Sequence, residues 1–268
     1  MITNAEGRFV NAAATEKYLV RGSDTFFGDY YRLQIDKLIY PNLLGLSQGL
    51  LGRPKQSIRD MLADPTQAAL FTDAQHQGSM GPAVLLSRSV DLSARRSLLD
   101  VAGGSGIFSI VLCRRYAQLN ATIIDFPSVI DIAQKYVGEA GLSKRIALIA
   151  GDALETPWPA NQDVILMSYL LSAVGGGDVQ RLFELARTAL IPGGLLLVHD
   201  FMLEADRAGP REAALFFLAY IPQRTDSVSF TASEIIEVAR KVGFANVRSD
   251  DLIPGLTSIV VAESPPAS

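Results

Sequence analysis

From residue 97 to residue 200, short apolar runs alternate with longer amphipathic ones. SLLDVA, NATIIDF, RIALIAGDA, DVILMSYLL and LLLVHDF read as strands. IFSIVLCRRYA, VIDIAQKYVGEAG and DVQRLFELARTAL read as helices between them. Strands that alternate with helices of this length predict an α/β fold, an open and mostly parallel sheet with helices on both faces. Gly141 and Gly193 stand where helices should end, and Pro192-Gly193-Gly194 is expected to stop the third helix.

The flanks have a different pattern. Residues 1–95 read as a mostly helical segment: TFFGDYYRLQIDKLIY carries apolar residues at three- and four-residue spacings until Pro41 interrupts them. PKQSIRDMLADPTQAALFTDAQH reads as short helices stopped around Asp64-Pro65. This segment is expected to pack as a layer against the main domain, residues 96–268, or against a second chain. Near the other end, Thr231 and Glu234 form a capping box that opens a helix. FANVRSDDLIPGLTSIVVAE then predicts two antiparallel strands at the sheet edge, joined through Pro254-Gly255, and only the tail SPPAS reads as unstructured.

Composition narrows the function classes. Of the 268 residues, 49% are hydrophobic, enough for a large core, and the net charge of -4 comes with no basic stripe. Phosphate neutralisation needs clustered Lys and Arg, so nucleic acid is not expected as a partner. No apolar run approaches the roughly 18 residues of a membrane span, and the N-terminus lacks signal-peptide character. The single Cys113 lies in an apolar run and reads as a quiet buried thiol. A cytoplasmic location fits these features. Two distant histidines and one cysteine form no metal pattern.

The chemistry concentrates after the predicted strands. LLDVAGGSG places Asp100 before a turn containing Gly103, Gly104 and Gly106, where absent side chains let a ligand approach the backbone. An acid ahead of that turn repels phosphate and attracts an amine. About twenty residues on, Asp125 ends TIID and can accept ribose hydroxyls, with Phe126 beside it for an adenine slot. Gly151-Asp152 follows the third strand. Three acids at the ends of three consecutive strands converge on the crevice where open sheets bind ligands.

These motifs together resemble the S-adenosylmethionine-dependent O-methyltransferases that act on phenols, hydroxyindoles and microbial secondary metabolites. LLDVAGGSG resembles the family's glycine motif, TIIDFPSVIDIAQ its ribose strand, GDALETPWP its adenine-side loop and ALIPGGLLLVHDF its Pro-Gly-Gly strand. QRT at 223–225 and SEIIEVARKVGF are similar to its closing stretch. The resemblance implies a Rossmann-like domain and S-adenosyl-L-methionine as cofactor. It places Asp125 at the ribose, Asp152 at the adenine and Gly103 at the methionine moiety, with Gly104, Gly151, Ala153, Met167 and Ser168 as further contacts along the same cofactor.

Two departures from the family accompany it. AEGRFVNAAATEKYLV resembles only the closing wing of the family's N-terminal winged-helix domain, which builds a dimer and roofs the acceptor pocket. A homodimer built from what remains, a separate subunit supplying the rest, or a smaller pocket are the expectations. The family's Leu-His-Asp-Trp is also replaced, with Ser172 where its basic His belongs and Ala173 and Val174 after it. Serine has no useful basicity near neutral pH. His199, His76 and Tyr169 are the other catalytic candidates, the tyrosine as a face for a sulfonium. Methyl transfer to a small metabolite is the expected reaction. A cyclisation of the cofactor itself releasing methylthioadenosine, and a non-catalytic partner subunit, are the alternatives.

Overall fold

The computed structural model describes residues 1–23, 26–53, 57–223 and 229–266. The chain opens with an antiparallel hairpin, β1 (Ile2–Thr3) and β2 (Phe9–Val10), whose turn is closed by the Asn4 side chain accepting from the Glu6 and Arg8 amides. Helices α1 (Ala13–Leu19) and α2 (Gly28–Tyr30), a π-helical stretch Tyr31–Ile39, α3 (Tyr40–Leu44) and α4 (Leu46–Leu50) come next. The expected break at Pro41 is not one. Pro41 sits in the first turn of α3, where its missing N–H costs nothing, and marks the change from π to α geometry.

Asp64 separates α5 (Ile58–Ala63) from α6 (Pro65–Ser89), and its carboxylate accepts from the Thr66 and Gln67 amides as the N-cap of α6. The expected stop is there, but the chain beyond it forms one long helix rather than several short ones. Ala83 and Leu86 of α6, with Val90 and Leu92 after it, share a core with Leu98, Phe108, Leu112 and Leu166. Helix α6 and the residues after it are therefore packed onto one face of the sheet.

Seven strands form the sheet: β3 (Ser97–Val101), β4 (Asn120–Asp125), β5 (Ile146–Ala150), β6 (Gln162–Ser168), β7 (Leu190–Asp200), β8 (Ala245–Ile253) and β9 (Thr257–Glu263). Their order is β5-β4-β3-β6-β7-β9-β8, parallel through β7, with β9 and β8 antiparallel at the edge as expected. Helices α7 (Ile107–Arg115), α8 (Pro127–Glu139), α9 (Gly176–Ala189), α10 (Arg211–Tyr220) and α11 (Ala232–Lys241) complete the layers. One face carries α6, α7 and α8. The other carries α9, α10 and α11, with Phe183 of α9 fully buried. The capping box of α11 is formed, each partner bonding the other's backbone.

Gly193 does not cap a helix. Helix α9 ends at Ala189, and Pro192-Gly193-Gly194 lies inside β7, where the register against β6 shifts. The left-handed Gly193, φ 73°, makes the bulge that an ordinary residue would resist. Cys113 is buried and free, its thiol pushed up to about 11 by burial. Among the described residues no helix is long and apolar enough to cross a membrane.

The switch in strand order falls at β3, between β4 and β6, and opens a crevice at the strands' carboxyl ends. The turn leading out of β3 is tightly constrained. Gly106 has φ 78°, and a Cβ there would lie 2.6 Å from Ile123 Cδ1. Exposed Gly138 near the end of α8 is right-handed with open space around it. Gly106→Ala should lower stability by about 1–2 kcal/mol, whereas Gly138→Ala should raise it by about 0.4–1 kcal/mol. Urea titration of the two variants checks the opposite signs.

Candidate active site

A cavity of about 680 Å³ occupies the crevice, lined by the ends of β3 to β6, the glycine turn, α5 and α6. Its floor is a pair of buried carboxylates. Asp100, the next-to-last residue of β3, accepts from Ser109 Oγ at 2.6 Å. A Cβ on Gly103 would sit 2.7 Å from the Asp100 carboxyl carbon, so the turn folds over the acid only because that residue is glycine. Asp125, at the end of β4, accepts from the Gly104 and Phe126 amides at 2.8 Å each. Burial pushes Asp100 up to about 7 and Asp125 up to about 6.

Asp152, in the loop after β5, is held by the Leu154 amide and by an ion pair with Arg59 of α5. Arg59 also lies over the Phe126 ring, 5.9 Å from its centroid. Nothing in the sequence around Arg59 marked it. It reaches the site because α5, capped by Ser57, crosses the cavity mouth. Asp60, Asp178, Phe71, Gln75 and Tyr220 are further lining residues that the sequence motifs missed, each brought in from outside the strand ends.

Of the expected cofactor residues, Asp100, Gly103, Gly104, Asp125, Phe126, Gly151, Asp152, Ala153 and Ser168 line this one cavity. Met167 does not. Alternate residues of a strand face opposite sides, and Met167, paired with Val101 and Val198, points into the core around Phe183. Of the expected catalytic residues, Tyr169 lines the cavity, in a left-handed conformation of φ 55° that turns the chain out of β6. Burial raises its phenol above the usual range.

The other three candidates lie elsewhere. Ser172 is buried at the next turn, its amide donating to Asp200 Oδ2, and Ala173 and Val174 form the wall there instead. His199 is fully buried on β7, bonded to Ser168 and pushed down to about 3 by burial. His76, on α6, meets Ser105 Oγ at 2.8 Å and stacks on Tyr136, and burial pushes it down to about 4. It braces the glycine turn from behind. A strand or helix position adjacent to the crevice was legible in the sequence, but the direction of each side chain was not. Arg224 and Thr225 of the QRT stretch lie outside the described residues.

The donor set fits a cationic nucleoside. Five carboxylates and one guanidinium, already paired with Asp152, are the charged groups among the described residues of the lining. Asp100 and Asp125 are costly to ionise without a nearby cation, and a bound positive charge would supply it. Among the described residues no cluster of three or more His, Cys, Asp or Glu stands ready for a metal ion.

Fold and site together define an open-sheet α/β protein with an acidic crevice at its topological switch point. The family model for the O-methyltransferase domain matches residues 36–245, and the chain belongs to that family. It is 28% identical to the 3-hydroxy-5-methyl-1-naphthoate 3-O-methyltransferase of Streptomyces sahachiroi, over 97% of this chain and 76% of that protein. It is 25% identical to the tetracenomycin polyketide synthesis 8-O-methyl transferase TcmO of Streptomyces glaucescens, over 97% of this chain and 77% of that one. An O-methyltransferase family protein from Burkholderia thailandensis has the same fold, with a TM-score of 0.81, 24% identity and coverage of 99% and 80%. The chain is an S-adenosylmethionine-dependent methyltransferase acting on a small metabolite.

The raised carboxylates carry a pH signature. A group whose folded value lies above its unfolded one stabilises fully below the unfolded value, near pH 4, and loses that contribution as pH rises through the folded value. For Asp100 the loss runs through about pH 7. His76 and His199, pushed down, act in the opposite sense between about pH 6.5 and their folded values, so a difference measurement is needed. Relative to Asp100→Asn, the ligand-free wild type should lose thermal stability between pH 5 and pH 8. A constant difference across that range would refute the assignment.

Proposed function

We propose that this methyltransferase acts on a small, flat, hydroxylated aromatic metabolite whose accepting oxygen ionises readily without a strong protein base. One observation carries the reading. His199 is fully buried and His76 half-buried, both are held neutral and outside the cavity lining, and the hydroxyl of Ser172 is outside it as well. Phe71, Tyr169 and Tyr220 supply aromatic wall suited to a planar acceptor. The hydroxynaphthoate and polyketide substrates in the names of the two relatives agree with this class.

In this reading Asp125 holds the ribose hydroxyls, with lone pairs to spare beyond the two amides it already accepts. Asp152, Gly151 and Ala153 border the adenine beside Phe126. Gly103 and Gly104 let the methionine portion lie against the backbone. Asp100 meets the positive end of that portion. Bound there, the cofactor supplies a methyl group already activated on a sulfonium. The walls align the acceptor and exclude water, which provides much of the rate. Two lining acids remain apart from the cofactor carboxylates. Asp60 is engaged with Ser57 at the start of α5, and Asp178 serves as the weak proton acceptor. Exposed Phe9, Leu19, Tyr31, Tyr40, Leu44, Leu50 and Leu51 of the helical segment support pairing of two chains through that layer.

Incubation with S-adenosylmethionine, with and without hydroxylated aromatics, should yield S-adenosylhomocysteine only when an acceptor is present, by mass spectrometry of all products. Methylthioadenosine formed without an acceptor would instead establish cyclisation. Binding with no product from a broad acceptor panel would favour a partner subunit. Asp178→Asn should lower kcat about 10-fold or more at neutral pH and less at high pH, where the acceptor ionises unaided. Asp125→Ala should weaken S-adenosylhomocysteine binding about 10- to 100-fold, and unchanged affinity in calorimetry would remove the ribose assignment.

A further inference from the structure

Ser168 and His199 are register partners on β6 and β7, with Ser168 Oγ 2.8 Å from His199 Nδ1. The serine lines the cavity. The histidine is completely buried between the rings of Phe108 and Tyr169, and its Nε2 has no hydrogen-bond partner. A neutral imidazole carries one N–H and one bare nitrogen. With the proton on Nε2, a buried donor would be stranded. With the proton on Nδ1, only an acceptor is left unpaired, the cheaper of the two outcomes. The ring therefore donates from Nδ1 to Ser168 Oγ. The serine hydroxyl, unable to donate back, keeps its own hydrogen for the cavity.

The place of that hydrogen suggests what it meets. Met167 is the register partner of Val101, the last residue of β3, so Ser168 stands level with the entry to the glycine turn. It also shares a sheet face with Asp100, whose partner on β6 is Leu166, two residues before Ser168. The lining carboxylates are acceptors only, once a bound cation lets the buried pair ionise, and Arg59 is engaged with Asp152. Thr72, Gln75, Ser79, Ser105 and Tyr169 also line the cavity, but Ser105 is engaged with His76, and Ser168 is the β6 hydroxyl that a buried ring leaves with its hydrogen free. We propose that Ser168 is the hydroxyl donor to the carboxylate of the cofactor's amino-acid end, and that buried His199 is the positioning residue that makes it a donor. The inference rests on the reading that the cavity binds S-adenosylmethionine.

Two ligands separate the proposal from that underlying reading. S-adenosylhomocysteine carries the amino-acid carboxylate, and 5′-methylthioadenosine has the same thionucleoside without it. In calorimetry, Ser168→Ala should weaken the first about 10-fold and the second less than 2-fold. Equal weakening of both, or of neither, overturns the proposal while leaving the cofactor site intact. Failure of the wild type to bind either ligand overturns the cofactor reading, and this one with it. A second measurement needs no variant of the pair. The chain has two histidines, so nitrogen-15 spectra of the wild type, assigned with His76→Gln, report the His199 tautomer directly. A proton on Nδ1 is expected throughout pH 6–8. A proton on Nε2, or on both nitrogens, overturns the positioning role.

Discussion

The structure depends on two carboxylates kept out of water beneath a glycine turn. Asp100 and Asp125 are both nearly inaccessible, and each is satisfied by hydrogen bonds from neutral groups rather than by a cation. Such an arrangement is unfavourable for the ionised forms on their own and becomes favourable when positive charge arrives. The glycines follow from the acids. A side chain at Gly103 would collide with Asp100, and the Gly104 amide could not reach Asp125 if the turn were wider. Local strain, burial and charge thus point at the same ligand.

The helical segment before the sheet completes that environment. Helix α6 lies along α7 and α8, and its His76 wedges between Ser105 of the turn and Tyr136 of α8, whose hydroxyl donates to Asp73 back on α6. Helix α5 closes the mouth through Arg59, and Ser128 Oγ donates to the Leu62 carbonyl. The turn is therefore held from behind by one helix, and the crevice is roofed by another. A residue expected to do chemistry, His76, contributes instead to stiffness where a flexible loop would blur the position of two acids.

The sheet, its helices and the acidic rim were legible because they rest on periodicity and on residues at strand ends, where spacing alone decides position. Met167 and His199 show where that legibility stops. Both sit within a residue or two of the crevice, yet strand parity turns Met167 into the core, and the burial of His199 depends on Phe108, Tyr169 and the register between β6 and β7. Gly193 failed as a cap for a related reason. A left-handed glycine after a helical pattern marks either a helix end or a strand bulge, and only the pairing of Gly193 and Gly194 with Ser264 decides between them. The presence of Arg59 and Asp178 in the lining was illegible because it comes entirely from tertiary placement.

Ser172, at the position where the family resemblance implies a basic histidine, lies beside a buried carboxylate. Ser172 sits at a turn whose amide is taken by Asp200, and Asp200 is itself buried and pushed up to about 7. An imidazole at this position would have faced a carboxylate able to orient it and stabilise its charge. With serine there, the carboxylate remains but has no basic partner at position 172, and its bonds to the Ser172 and Phe201 amides hold the loop instead. In the proposed reading, proton removal then shifts from the protein towards the acceptor. Since positioning supplies a large share of the acceleration for a methyl group already on a sulfonium, that reading needs no strong base for acceptors of sufficient acidity. The aromatic cavity wall and the acidic rim are then the features that choose the substrate.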